Sequence, residues 1–414
     1  RYTVILKGSM NTTSFVSSVK INTIVCALSG LALMPAQATT TTLADALKEG
    51  SINAQFRYRL ENVDQDNALK TATASTLRSR LTLQSGSWFH TKALIELDNV
   101  SSIGGERYNS GVNANSHYSA ITDPTGTDIN QAALLFTPYK NSQFTLGRQR
   151  INLQNQRFIG SVGWRQNEQT FDGVRLTQQL GNQWQIDLSS LHNTNRIFGT
   201  KGADADLHGR FSLGQLKWQP MPQHTFTAFH YDLDFDILNS RDSLTQGLDY
   251  AGYLAALPDF KWLFVFAEQE DKHQAPLQFQ HHYHRVDLSY TFKDIIVKLV
   301  QERLGGDGQT AFQTPFATLH AFQGFTDVFL VTPTVGIRDH YLEISLPLSS
   351  VNLSASWHSY HSDAGSSKLG TEINSSVTYD LLKQLNLMFK LSQYQADSYG
   401  VDTNKLWLMA TYSI

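Results

Sequence analysis

The sequence predicts an all-β fold, a transmembrane antiparallel β-barrel of about 18 strands in a single chain, and three observations lead there. Segments of about ten residues with alternating apolar and polar side chains, the length of a tilted membrane strand, recur from Ser51 to Ile414. The final stretch alternates to its last residue, with Leu406, Leu408, Ala410, Tyr412 and Ile414 on one face and Lys405, Trp407, Met409, Thr411 and Ser413 on the other. That is the stripe a lipid-facing closing strand needs. The connections between segments are alternately short and long, the asymmetry of barrels with short turns on one side of a membrane and long loops on the other.

Lys20, the apolar run Ile21 to Leu33, Pro35 and the small-residue pattern Ala36-Gln37-Ala38 have the charge, length and cleavage chemistry of a secretory signal peptide over residues 1–38. Residues 1–9, ahead of Met10, read as an over-extended start, and the mature chain is expected to begin near Thr39. The apolar run is shorter than the about 20 residues a membrane helix needs. The only cysteine, Cys26, lies inside it. A secreted chain without disulfides must be held together otherwise, and barrel closure, which pairs every backbone group, is one way. Losing Arg1, Lys7 and Lys20 with the leader leaves 30 basic residues against 36 acidic ones, a net charge of −6 and no signature of nucleic-acid binding.

From residue 39 to 414 there is no Pro/Ser-rich spacer, composition change or charge block, so one barrel domain is expected. Alternation and turn residues place strands at 51–63, 72–85, 88–102, 128–137, 142–151, 169–180, 183–194, 208–218, 223–233, 242–255, 260–270, 280–292, 294–303, 338–347, 350–361, 369–379, 384–396 and 404–414. Short turns fall at Ser85-Gly86-Ser87, 138–141, Leu180-Gly181-Asn182, 220–222, Phe292-Lys293-Asp294 and 348–350. The even count puts both ends on the periplasmic side of the outer membrane of a Gram-negative bacterium. Three long segments remain, 104–127, 152–168 and 305–337, each an external loop or a constriction. The third, with Thr314 to Phe322 and Gly324 to Leu330, is too apolar for a solvated loop and is expected to pack against the barrel rim.

Several of these stretches together resemble the alginate-export family of outer-membrane porins. They are Arg57-Tyr58-Arg59-Leu60-Glu61-Asn62-Val63-Asp64-Gln65-Asp66-Asn67, Leu77-Arg78-Ser79-Arg80-Leu81, Leu146-Gly147-Arg148-Gln149, Gly163-Trp164-Arg165-Gln166 through Thr170-Phe171-Asp172, and the Thr314 to Leu330 loop. The resemblance covers nearly all of the mature chain and implies an eighteen-stranded single-chain barrel acting as a diffusion channel, with alginate or other uronates as solutes. The chain departs from such barrels in ending on Ile414 where Phe is usual.

If the apolar face of the first strand (Ile52, Ala54, Phe56, Tyr58, Leu60) meets lipid, then Arg57, Arg59 and Glu61 face the channel. The second strand repeats this with Arg78 and Arg80, and the third with Lys92, Glu96 and Asp98. Arg57 and Arg59 are expected across from Arg78 and Arg80. Arg148 and Arg150 share a face of strand five, and Arg165 ends the following loop. These ten residues (Arg57, Arg59, Glu61, Arg78, Arg80, Glu96, Asp98, Arg148, Arg150 and Arg165) are the candidate pore lining. Fixed positive charge flanked by acids favours small polar or anionic solutes. The same groups would also serve as an ion-pair network bracing the wall.

His281, His282 and His284 do not suffice for a metal, since His282 and His284 share a face with no third ligand nearby. No nucleophile elbow or paired-acid motif is present, so no catalytic residue, cofactor or metal is expected. The alternative to a porin is a barrel enzyme or a receptor plugged by 305–337. Trp184, Trp218, Trp262 and Trp357 suit interfacial girdles. The partners expected are outer-membrane lipid and lipopolysaccharide, small anionic or saccharide solutes, and the barrel-assembly machinery, with no nucleic acid.

Overall fold

The structure, a computed structural model, describes residues 42–202 and 205–414. The expected signal peptide with Cys26 lies outside the described residues. A short helix α1 (Leu43–Lys48), begun by a Thr42 capping box with Asp45, precedes the barrel. The strands are β1 (Ser51–Gln65), β2 (Ala72–Gln84), β3 (Thr91–Ser102), β4 (Gly126–Tyr139), β5 (Ser142–Gln149), β6 (Thr170–Leu180), β7 (Trp184–Asn195), β8 (Asp206–Met221) and β9 (His224–Phe235). They continue as β10 (Ser243–Leu254), β11 (Leu257–Asp271), β12 (Gln280–Phe292), β13 (Ile295–Leu304), β14 (Ile337–Pro347), β15 (Val351–His361), β16 (Lys368–Leu382), β17 (Leu385–Ala396) and β18 (Thr403–Ser413).

Each strand pairs antiparallel with its sequence neighbours, and β1 also pairs with β18, from Gln55 opposite Ser413 to Gln65 opposite Thr403. The 18-stranded sheet is therefore closed and leaves no edge for lipid to meet. The expected strands all form, and their ends move by few residues. β3 starts late because Phe89 and His90 sit at positive φ, 47° and 61°, in a turn closed by Trp88 and Thr91. β11 starts early, running through Pro258 at its first turn of ladder, a place where a missing N–H costs no pairing. Both described ends lie at the short-turn side, where Ala54 and Ile414 exchange backbone hydrogen bonds and Gly86 N–H donates to Ala46.

Sidedness follows the pleat. On β1, Ile52 is 73% exposed and Arg59 fully buried. The exposed apolar row continues on β2 and β3 as Leu81, Ile95 and Leu97, and on β17 and β18 as Leu391, Leu408 and Tyr412. Trp184 and Trp218 stack on that outer surface, with ring centroids 5.4 Å apart. An apolar cluster also lies within the barrel, where inward Phe211, Phe229, Tyr283 and Tyr360 pack on Phe158, Phe312, Phe316 and Phe329 from the long loops. The connection from β13 to β14 thus does not rest on the rim, as its composition suggested. Its Phe316 meets Phe171, Phe211 and Phe235, while its Phe329 meets Tyr360 and Tyr394 on a different part of the wall. The loop crosses the lumen because inward aromatics on several strands offer it more apolar contact than the rim does.

Candidate channel interior

The alternation of β1–β3 sends Arg57, Arg59, Glu61, Arg78, Arg80, Glu96 and Asp98 to the inner face, where all are buried. Arg57 stands opposite Arg78, but Arg59 stands opposite Thr76 and Arg80 opposite Gln55, so only one pair of the expected four arginines is in register. What separates their charges is the loop between β5 and β6. Arg57 donates to the Gln166 side chain (3.0 Å) and the Gly163 (2.9 Å) and Arg165 carbonyls. Arg80 grips Asp98 with two bonds of 2.7 and 2.6 Å and reaches Glu168 at 2.9 Å. Arg59 bonds Asp123 at 3.1 Å, from the loop between β3 and β4, and the Trp164 carbonyl, while lying over the Trp164 ring. Arg78 has the poorest partners: it donates to Gln55, its Nε and Nη1 lack hydrogen bonds, and Glu168 is 3.7 Å from Nη1.

Arg150 lies past the end of β5 and joins this network, bonding Glu168 at 2.7 Å and Glu96 at 2.8 Å. Arg148 does not share its partners. It stands opposite Asp172 in the ladder and pairs with it at 2.9 and 3.1 Å, whereas Arg150 has left the strand. Arg165 bridges Glu61 (3.0 Å) and Asp327 (3.1 Å), tying two loops to the wall. Burial raises the Glu168 carboxyl, but the guanidinium groups of Arg80, Arg150 and Arg78 outweigh it and hold the group at about 2.

A second set of contacts fastens the 305–336 loop. His320 stacks on Trp164 at 4.2 Å, bonds Asp327 through Nδ1 (2.8 Å) and meets Lys390 Nζ through Nε2 (2.8 Å). Asp327 also takes Lys405 at 3.0 Å. Burial pushes His320 down to about 3. Asp327, which burial alone would raise, is held well below its usual value by His320, Lys405 and Arg165. Deeper along the loop, Glu372 accepts the Phe325 and Thr326 N–H groups at 2.5 and 3.1 Å. Gly324 (φ 82°) permits this approach, since a Cβ there would stand 2.2 Å from a Glu372 oxygen. Glu302 on β13 holds this loop through Gln323 and also binds Arg157 (2.9 Å) of the β5–β6 loop, which in turn donates to Thr314 (3.3 Å).

Open space remains within the barrel. A chamber of about 470 Å³ lies against the short-turn half of β6–β11, lined by Arg175, Asp187, Lys217, Asp249, several amides and Asn152 to Asn155. A cleft of about 50 Å³ lies toward the long-loop side, lined by Asp98, Asn130, Arg148, Glu168 and Thr170. The segment from Arg148 to Asn155 thus borders both. Among the described residues, no group of three or more His, Cys, Asp or Glu is placed to hold a metal.

The family model described as alginate export matches residues 48–295, more than half of the chain. The chain belongs to the alginate export family. Among solved structures, this family member's barrel is similar to OccAB4 of Acinetobacter baumannii, with 14% identity over 88% of this chain and 98% of that one and a TM-score of 0.70. It is similar also to OccK9 (OpdG) of Pseudomonas aeruginosa, at 15% identity over 89% and 99% of the two chains and a TM-score of 0.70. OpdK of P. aeruginosa, solved with vanillate, aligns at 12% identity over 89% and 99%, TM-score 0.69. At such identity these likenesses show a shared fold. No curated protein matches the chain in sequence. Family, closed barrel and lipid-facing stripe together make this a porin-type barrel of the Gram-negative outer membrane.

Within this alginate-export barrel, Asp123, Glu168, Asp327, His320 and Lys390 are the functional-site residues that sequence reasoning missed. The four loop residues carry no periodic signal, and Lys390 reads from sequence as an ordinary inward residue of its strand. The composition of 305–337, too apolar for water, was the one available sign that a loop turned inward.

Proposed function

We propose that the protein is a passive diffusion channel for small polar and anionic solutes, acidic saccharides of the uronate type among them. The observation that carries this is the polarity of the closed barrel, apolar outside and charged within, with a polar chamber and cleft left on either side of the Arg148 to Asn155 segment. The lining role then falls unevenly on the ten candidates. Arg148 and Arg150 keep 31% and 29% of their side chains exposed, Arg148 lining the cleft, and Arg175 lines the chamber. Arg57, Arg59, Arg78, Arg80, Arg165, Glu61 and Glu96 lie behind the loops as braces that fix them against the wall, while Asp98, gripped by Arg80, also faces the cleft. Fixed cations beside such spaces raise the local concentration of anions. The vanillate bound to OpdK, an aromatic carboxylate, is a precedent in fold for a small anionic solute.

A second reading, a receptor plugged by the 305–336 loop, draws on the apolar cluster that fills part of the lumen. Purified protein in a planar bilayer separates the two. The channel reading expects discrete conducting steps with a reversal potential on the anion side in a salt gradient, reduced by glucuronate. A bilayer that stays silent at every voltage overturns it in favour of the plug.

A further inference from the structure

The outer surface of β12–β14 carries a feature that a diffusion channel does not need. On β1 the lipid-facing row stays apolar through Ile52, Ala54, Phe56, Tyr58 and Leu60 before Asn62. On β13 it holds only Ile295, Val297 and Leu299 before turning to Gln301 and Arg303. β14 does the same, with Leu346, Ile344 and Leu342 followed by His340 and Arg338, and β12 passes from Val286 to His284 and His282. The register sets these groups side by side across three strands, His284 opposite Arg303 and Arg303 opposite Arg338. The row sits at the long-loop end of the barrel, directly above the apolar stripe, at the level of the external leaflet's headgroups.

The cations there outnumber their partner. Arg303 grips Asp363 with bonds of 2.5 and 2.8 Å, while Arg338 is 3.8 Å from the same carboxylate and spends its hydrogen bonds on the Ser362 carbonyl and Ser366 hydroxyl. Arg303 and Arg338 keep 34% and 29% of their side chains exposed. His282 and His340 are exposed beside them. Two guanidinium groups sharing Asp363, with Glu268 standing two strands from Arg303 opposite His282, present a locally positive, donor-rich site on a surface that continues downward into hydrocarbon. Guanidinium forks match phosphate oxygens in geometry and charge, and the free imidazoles and serine hydroxyls add donors suited to sugar hydroxyls. We infer that the His284, Arg303 and Arg338 row is a docking site for a phosphorylated, anionic glycolipid of the external leaflet, its acyl chains lying along the apolar residues below and its phosphate on the two arginines. This rests on the outer-membrane placement of the barrel and is independent of what the lumen conducts.

The test uses the full barrel in nonionic detergent, titrated with bisphosphorylated lipid A and, separately, with its dephosphorylated form and with phosphatidylglycerol, reading bound lipid by native mass spectrometry. The intact protein should bind lipid A at least tenfold more tightly than either control, and the Arg303→Ala/Arg338→Ala double variant should lose that preference. Asp363→Asn, which frees Arg303 while keeping the shape of its partner, should bind lipid A more tightly than the parent. Heat-modified gel mobility identifies a variant that fails to fold, and Asp363→Asn then carries the test alone. Equal binding of lipid A and phosphatidylglycerol, or an Asp363→Asn variant no tighter than the parent, overturns the site. Loss of conductance with lipid binding intact would instead count against the channel reading.

Discussion

Two walls of this barrel place arginines inward from β-strands, and their fates differ. On β1–β3 the loops between β3 and β4 and between β5 and β6 descend onto the arginines and supply Asp123 and Glu168, leaving Arg59 and Arg80 buried with acids at contact distance. On β6–β11 the loops leave the short-turn half open beyond residues 152–155, and Arg175 pairs with Asp187, diagonal to it on β7, at the edge of the chamber. The residue type and the strand pattern are alike. What differs is the loop above, so whether an inward arginine is a brace or a lining is decided far from it in sequence.

The largest effect should come from removing one guanidinium on each wall. Arg80→Ala strands Asp98 and Glu168 in a buried site, and breaking such a pair costs about 3–5 kcal/mol. Arg175→Ala leaves Asp187 at the edge of the chamber, where water can reach it, so the loss should be smaller than for Arg80→Ala. Urea titration of folding into lipid vesicles should therefore show a large loss for Arg80→Ala and a smaller one for Arg175→Ala, while the reversal potential in a salt gradient should move toward cations for Arg175→Ala. Equal stability losses would erase the distinction between the walls.

The next effect concerns how the loops are held. Gly324→Ala puts a methyl group into the Glu372 carboxylate and an alanine into the left-handed region, which costs about 1–2 kcal/mol before any clash. The barrel should fold normally, since no ladder hydrogen bond is touched, but the 305–336 loop should leave Glu372 part of the time. Protease cleavage within 314–331 should speed up several-fold and mean conductance should rise. Unchanged cleavage would show that the loop is held mainly by Glu302 and Asp327.

The strands were legible because a membrane barrel imposes one rule, alternation against lipid, on every segment from Ser51 to Ser413. The inward set on β1–β3 followed from the same rule. The partners of those residues did not, because Asp123, Glu168 and Asp327 sit in loops where no period operates and where contact is fixed by three-dimensional closure. Arg148 and Arg150 show the limit at a strand end: two residues apart, they should share partners, yet Arg148 pairs with Asp172 opposite it in the ladder while Arg150, past the end of β5, turns to Glu168 and Glu96. The inward turn of the 305–336 loop was visible only as excess apolarity, and its depth depended on aromatics contributed by β8, β9, β15 and β17.

The smallest expected effect sharpens the contrast from the loop side, through His320. When the loop is docked, burial between Trp164 and Phe325, with Lys390 on one nitrogen and Asp327 on the other, pushes the imidazole from its ordinary 6.5 down to about 3. When the loop is released, the imidazole meets water and titrates near 6.5. The released state therefore binds the extra proton, and through His320 docking weakens as pH falls through 6.5 toward 3. Between pH 7 and pH 6 the shift amounts to roughly 0.7 kcal/mol, about a threefold rise in the released population. Asp327 and Glu168, both held below the usual carboxylate range, stay ionised across that interval and do not contribute. A cysteine at Ala317, a loop residue buried when the loop is docked, in a background with Cys26 replaced by serine, reports release through its rate of labelling by a water-soluble maleimide. Labelling, corrected for the reagent's own pH dependence, should rise about threefold from pH 7 to pH 6 in the parent and stay flat in His320→Gln. The same rise in both would assign the pH response to another group and leave His320 a packing residue.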